Sequence, residues 1–190
     1  MLSKSFLAAT LFTLGSVAGS LFSPVQANEL PASIHQEIKM LQDTWATNPI
    51  LIEAIKKQNE KNISLNEIKK LDDSWRATSG LGNFMLPYLD NPAVEELARL
   101  EEISGYVQES FAMDNQGALV ASTTKTSDFW QGDEAKFTDS FKDGAGAVHI
   151  GDVEFDDSAQ AYLVQVSIPV MDGGKAIGAI TIGIDIDGMQ

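Results

Sequence analysis

Between residues 160 and 186 the chain alternates strongly enough to fix part of its own layout. Tyr162, Val164, Val166, Ile168 and Val170 fall two apart; Asp172-Gly173-Gly174 follows; then Ile180, Ile182, Ile184 and Ile186 again fall two apart. A period of two sends successive side chains to opposite faces of a strand. Strands over 160–170 and 176–186, joined by a tight glycine turn, are therefore antiparallel neighbours sharing one aliphatic face. Residues 147–155 read as another strand just ahead of them, across a turn at Asp156-Asp157-Ser158. Further upstream, residues 106–113 and 118–122 form a hairpin around Asp114-Asn115-Gln116-Gly117, where Gly117 can take the positive φ the turn needs. Five strands are thus predicted, and a polar crossover separates the second from the third.

The N-terminal half carries a different period. Ile34, Ile38, Leu41 and Trp45 make one apolar stripe in a helix over 28–47. Asn48-Pro49 restarts the helix, since Asn caps well and Pro suits the first helical position. Ile52 and Ile55 mark the second segment. Ser64-Leu65-Asn66-Glu67 is a capping-box pattern opening a third helix with Ile68, Leu71 and Trp75 on one side. Asn91-Pro92 opens a further helix to about residue 103, with Leu97, Leu100 and Ile103 aligned. These stripes either build the core or pair two chains as a bundle, which would make a homodimer through the arm. The fold class is α+β: one five-stranded antiparallel sheet with a long N-terminal helical arm packed on one face. Residues 28–103 form the arm and 104–190 the sheet domain, with 28–190 a single structural unit.

Residues 1–27 read as an export signal. Lys4 precedes an apolar run over 6–22, and Val25-Gln26-Ala27 fits a small-x-small cleavage site with the cut after Ala27. The expected location is periplasmic or secreted. The 190 residues carry a formal net charge of −14, which argues against nucleic acid and anionic membrane surfaces as partners. The sequence has no cysteine, so disulfides, thiolate catalysis and cysteine-based zinc sites are excluded.

The crossover, Ser122 to Phe137, is too polar to be a strand and holds an aromatic pair before a short charged helix. A polar segment centred on a Trp and held by a sheet suits a small-molecule pocket. Trp130 either stacks on a ligand or plugs the edge of the core; its neighbour Phe129 takes the other role. Asp128 either accepts from an amine or caps the helix that starts near Phe129. Lys136 either neutralises a carboxylate or is solvated. Asp133 and Glu134 suit the start of a helix and need no further account. In the strands, Gln165, Ser167, Thr181 and Asp185 lie opposite the aliphatic face, towards the crossover or towards solvent. Ser122 and Thr124 leave the second strand beside the pocket, and Tyr106 opens the first strand with a hydroxyl to offer.

The order of arm, hairpin (F-A-M-D-N-Q-G-A-L-V-A-S-T), aromatic crossover and three strands ending in I-G-A-I-T-I-G-I-D-I resembles the Cache superfamily of PAS-like (PDC) extracytoplasmic sensor domains. T-S-D-F-W-Q-G-D-E-A-K-F is similar to a motif of its small secreted members. The resemblance covers residues 28–187. It implies a PAS-like sheet and a pocket between sheet and crossover that takes an organic acid, amino acid or amine. Receptor members flank the domain with transmembrane helices; here the leading segment looks cleavable and the sequence ends at Gln190. That implies a freestanding binder feeding a separate membrane receptor or sensor kinase, in signal transduction or chemotaxis.

No enzyme is expected. The mature chain lacks G-x-S-x-G, H-E-x-x-H, P-loop and dinucleotide patterns. His35 and His149 are separate, and Asp72-Asp73 and Asp156-Asp157 lack calcium-loop spacing. No cofactor or metal is implied. The rival readings are an interaction module that assembles through its N-terminal helices without a ligand, and, with less support, a hydrolase using carboxylates.

Overall fold

The computed structural model describes residues 32–156 and 160–189; residues 1–27, read above as an export signal, lie outside them. Helices α1 (Ala32–Thr44), α2 (Pro49–Glu60) and α3 (Leu65–Ala77) lead, in chain order, to a 3-10 turn at Asn83–Met85, the short α4 (Leu86–Leu89) and α5 (Pro92–Ser104). The hairpin β1 (Val107–Met113) and β2 (Leu119–Ser122) follows, then α6 (Ala135–Phe141) in the crossover, and finally β3 (His149–Asp156), β4 (Ala161–Asp172) and β5 (Lys175–Asp185). The sheet has five strands in the order β2-β1-β5-β4-β3, and every neighbouring pair is antiparallel.

Local chemistry accounts for the helix starts. The Asn48 side chain accepts from the backbone of Ile50 and Leu51, and Asn91 from Ala93 and Val94, each with Pro next in line. Ser64 and Glu67 close the capping box reciprocally. Each such cap contributes about 1 kcal/mol. Gly173 and Gly174, both at positive φ, turn β4 into β5.

The sheet is buried on both sides. On one, Ile34, Ile38 and Leu41 of α1, Trp45 just after it, Leu51 and Ile55 of α2 and Leu97 and Leu100 of α5 pack on the aliphatic rows of β4 and β5. On the other, Phe111, Met113 and Leu119 meet Phe129 and Phe137 of the crossover together with Ile68 and Trp75 of α3. Thus α1, α2 and α5 form the packed arm, while α3 joins the crossover on the opposite side. Two apolar positions depart from their stripes: Ile103, in the last turn of α5, is exposed, and Tyr162 is exposed edge-to-face with Phe155 at 5.2 Å. The crossover helix starts at Ala135 rather than near Phe129, because residues 129–131 run extended and bond to the hairpin.

Candidate functional site

The crossover is registered on the sheet by backbone and side-chain bonds. Leu119 N–H donates to Phe129 O at 3.1 Å and Gln131 N–H to Gly117 O at 2.8 Å. From α3, Asp72 accepts the backbone N–H of Phe129 and of Trp130, the Trp75 indole donates to Thr126 O at 2.9 Å, and Lys125 reaches Thr78 O at 2.9 Å. These ties hold α6 over the far half of the sheet and leave a recess beside its first turn.

That recess encloses about 340 Å³ between the sheet and the start of α6. Glu109 of β1 with Leu163 and Gln165 of β4 form its floor; His149, Gly151, Asp152, Glu154 and Phe155 of β3 form its outer wall; Glu134, Ala135 and Lys136 overhang it. In β3 the register slips between Ile150 and Val153, so Gly151 and Asp152 together oppose Gln165. Such a bulge re-aims side chains, and here Asp152 and Glu154 both line the recess with His149. Lys136 pairs with Glu134 at 3.0 Å and lies 5.7 Å from the centre of the Phe111 ring. His149 Nδ1 stands 3.4 Å from Asp139. Gln165 Nε2 donates to Glu109 Oε1 at 3.0 Å.

On the opposite side of β1, Glu101 of α5 accepts the hydroxyls of Ser110 at 2.5 Å and Thr123 at 2.8 Å. Burial pushes its carboxyl above the usual range; the two hydroxyl bonds oppose this, and the nearby Glu109 charge adds to it.

Of the residues singled out from the sequence, the structure brings only Lys136 and Gln165 to this recess. Ser167 and Thr181 lie on the same face of the sheet but are fully buried and bond to each other at 2.8 Å, so neither has a free group to offer. Phe129 is a core residue, 5.6 Å from Trp75 and 4.7 Å from Tyr88 between ring centres. Ser122 is buried and donates to Thr124 O at 2.6 Å, shaping the end of β2; Thr124 is exposed and lies outside the recess. Tyr106 packs with the helical arm on the other side of the sheet, which corrects its placement in the pocket. Asp185 accepts the N–H of Asp187 and Gly188 and so closes the turn after β5.

Trp130 and Asp128 line a different cavity of about 560 Å³, between the crossover and Lys69, Asp72, Asp73 and Arg76 of α3. Asp133 and Glu134 complete its lining, and its cations and indole are engaged within it or by the hairpin. Lys69 sits 4.4 Å above the Trp130 ring, the indole donates to Gln116 O at 2.7 Å, and Arg76 contacts Asp72, Asp73 and Asp128. The sequence reading missed Glu109, Asp152, Glu154 and the cavity role of His149 and Glu134. Period two from Phe111 and Met113 puts Glu109 on the crossover side of β1 and was the available signal; the bulge that turns Asp152 leaves none.

No family model and no curated protein matches the chain. Among the solved structures that it matches are sensor domains. The ligand-binding domain of the Campylobacter jejuni chemoreceptor Tlp3, in complex with 4-methylisoleucine, is 12% identical with a TM-score of 0.41, over 84% of this chain and 62% of that one. The sensor domain of the V. cholerae histidine kinase DctB is 13% identical with a TM-score of 0.39, over 83% of this chain and 59% of that one. The chain therefore spans about three fifths of the length of these domains. At these scores the likeness carries no weight for function, which rests on the chain's own geometry. Among the described residues no helix is long and apolar enough to cross a membrane.

Proposed function

We propose that this chain is an exported, non-catalytic binding domain that takes a small polar metabolite in the recess between the sheet and the start of α6, and signals through a separate membrane receptor or sensor kinase. The observation that carries the reading is the convergence of Glu109, Lys136, His149 and Gln165, from four elements, on one recess of about 340 Å³ floored by strands. Small-molecule sites are concave, of a few hundred Å³, with a few polar groups set among apolar ones; Leu163, Ala135 and Phe155 supply the apolar part. The export signal read from residues 1–27 supports a role outside the cytoplasm.

The test is thermal denaturation of the purified protein against carboxylates, amino acids, amines and purines. A ligand at about 100 times its Kd adds roughly 2.7 kcal/mol of stability. The expected result is a raised melting temperature with at least one class, lost in Gln165→Leu while the unliganded melt is retained. A well-folded protein that responds to no class would sink the proposal.

One observation favours the rival interaction module. A groove of about 460 Å³ runs beside α2, lined by Ile50, Ala54, Pro87 and Val120, and Ile50 is exposed. If that groove joins two chains, Ile50→Glu shifts the sedimentation coefficient towards the monomer; an unchanged coefficient disposes of this reading.

A further inference from the structure

We infer that the ligand of the recess is a small organic cation, an alkylammonium or guanidinium, and that Glu109 is the carboxylate that anchors it. This rests on the binding reading above and narrows it to one ligand class.

The first observation is the charge left over in the recess. Its lining holds four carboxylates, Glu109, Glu134, Asp152 and Glu154, against Lys136 and His149. Glu134 is matched by Lys136 at 3.0 Å, and His149 faces Asp139 from outside the lining. Glu109, Asp152 and Glu154 then remain, and among the described residues none of the three makes an ion pair. A concave site walled by uncompensated charge of one sign focuses its field on whatever enters. An anionic ligand would add a further negative charge, and the one ammonium present is already engaged.

The second observation is how Glu109 is built in. Glu109, Gly183 and Gln165 are register partners across β1, β5 and β4. A Cβ at Gly183 would meet Glu109 Cγ at 2.6 Å and Oε1 at 3.1 Å. The missing side chain thus lets Glu109 lie flat across β5, where Gln165 holds Oε1. A carboxylate laid over a strand and fixed by one amide is preorganised, with Oε2 left without a hydrogen bond among the described residues. Charge-assisted bonds of this kind are about twice as strong as neutral ones.

The third observation is the opposite wall. The β3 bulge puts Asp152 and Glu154 across from Glu109, and Leu163 and Phe155 lie among them to cover a short carbon chain. Among the described residues, no three His, Asp or Glu side chains are grouped closely enough to hold a metal ion. The spread-out carboxylates fit a cation with its own length.

The experiment is calorimetric titration of the protein at fixed ionic strength with n-butylamine, 1,4-diaminobutane, butyrate, succinate and norvaline, the last a zwitterion. The expected result is binding of the amines, tighter for the diamine, with no heat from butyrate or succinate. Glu109→Gln keeps an acceptor for Gln165 and should weaken amine binding about tenfold or more. Gly183→Ala displaces Glu109 and should do the same, with the circular dichroism spectrum retained. Lys136→Met releases Glu134 from its ion pair, adds to the negative charge of the recess and should raise amine affinity. Binding of butyrate, succinate or norvaline in place of the amines, or amine affinity unchanged in Glu109→Gln, overturns this inference and leaves the binding reading standing. No binding by any probe, nor by the wider panel above, overturns both.

Discussion

Asp72 of α3 accepts the backbone N–H of Phe129 at 2.8 Å through the same oxygen that takes the N–H of Trp130 at 3.1 Å, and its carboxylate is buried. One side chain thereby pins the extended part of the crossover, fifty-seven residues further on, against the helix that covers it. Removing it leaves a buried donor without a partner, which costs about 1–3 kcal/mol. Asp72→Ala should lower stability by about 2–3 kcal/mol in urea denaturation, whereas Asp72→Asn, which keeps an oxygen acceptor, should lose much less. Equal losses in the two variants would show that the amide bonds are not what Asp72 supplies.

The buried Ser167–Thr181 pair makes a second stability prediction. Thr181→Val orphans the Ser167 hydroxyl and should cost about 1–2 kcal/mol, while Ser167→Ala with Thr181→Val should cost less than the two single changes added together. A double-mutant cycle by urea denaturation measures this. Strict additivity would mean that the 2.8 Å contact contributes no coupling.

Glu101 predicts a pH dependence. Burial raises its carboxyl above the ordinary 4.5, so the folded state holds the proton more tightly than the unfolded chain. Its contribution is fully present below 4.5 and is lost as pH rises through the folded value. Glu101→Gln keeps an oxygen for the Ser110 and Thr123 hydroxyls and removes the titration. Relative to this variant, the parent protein should lose stability from about pH 4.5 until the pH has passed the folded value, and run parallel to it below and above that window. Denaturation at three pH values reads the difference, and a gap that widens on acidification would contradict the assignment.

Trp130 supplies the sharpest contrast with what its sequence setting suggests. Its indole is spoken for by Gln116 O and its face by Lys69, and it does not line the sheet recess. Trp130→Phe should cost about 1 kcal/mol for the lost hydrogen bond yet leave the ligand-induced rise in melting temperature unchanged. A response abolished in this variant would move the binding site to the cavity beside α3.

Much of the fold is legible because its determinants are local. The caps at Asn48, Ser64 and Asn91 and the Gly173-Gly174 turn act over a few residues, and the rows of β4 and β5 repeat at a fixed period. What the sequence hides is set at long range. Nothing in the Ile68, Leu71 and Trp75 stripe says that α3 covers the opposite side of the sheet from α1 and α2; that depends on its ties to Thr126 and Phe129. The apolar run around the 3-10 turn and α4 has no period to read. In the site, alternation puts Gln165, Ser167 and Thr181 on one side, but which of them meets open space depends on where α6 lies. On β3 alternation itself fails, since the bulge at Gly151 and Asp152 shifts the phase.

The way the crossover is fastened also bears on how this scaffold can change. Its register on the hairpin comes from main-chain atoms of Gly117, Leu119, Phe129 and Gln131, and the two donors, Leu119 and Gln131 N–H, can be supplied by any residue except proline. The overhanging Glu134, Ala135 and Lys136 take no part in that fastening, so drift at these three positions rewrites the chemistry over the recess while the frame beneath stays put. The same architecture can therefore take new groups over its recess, by selection or by design, with the strands that floor it left as they are.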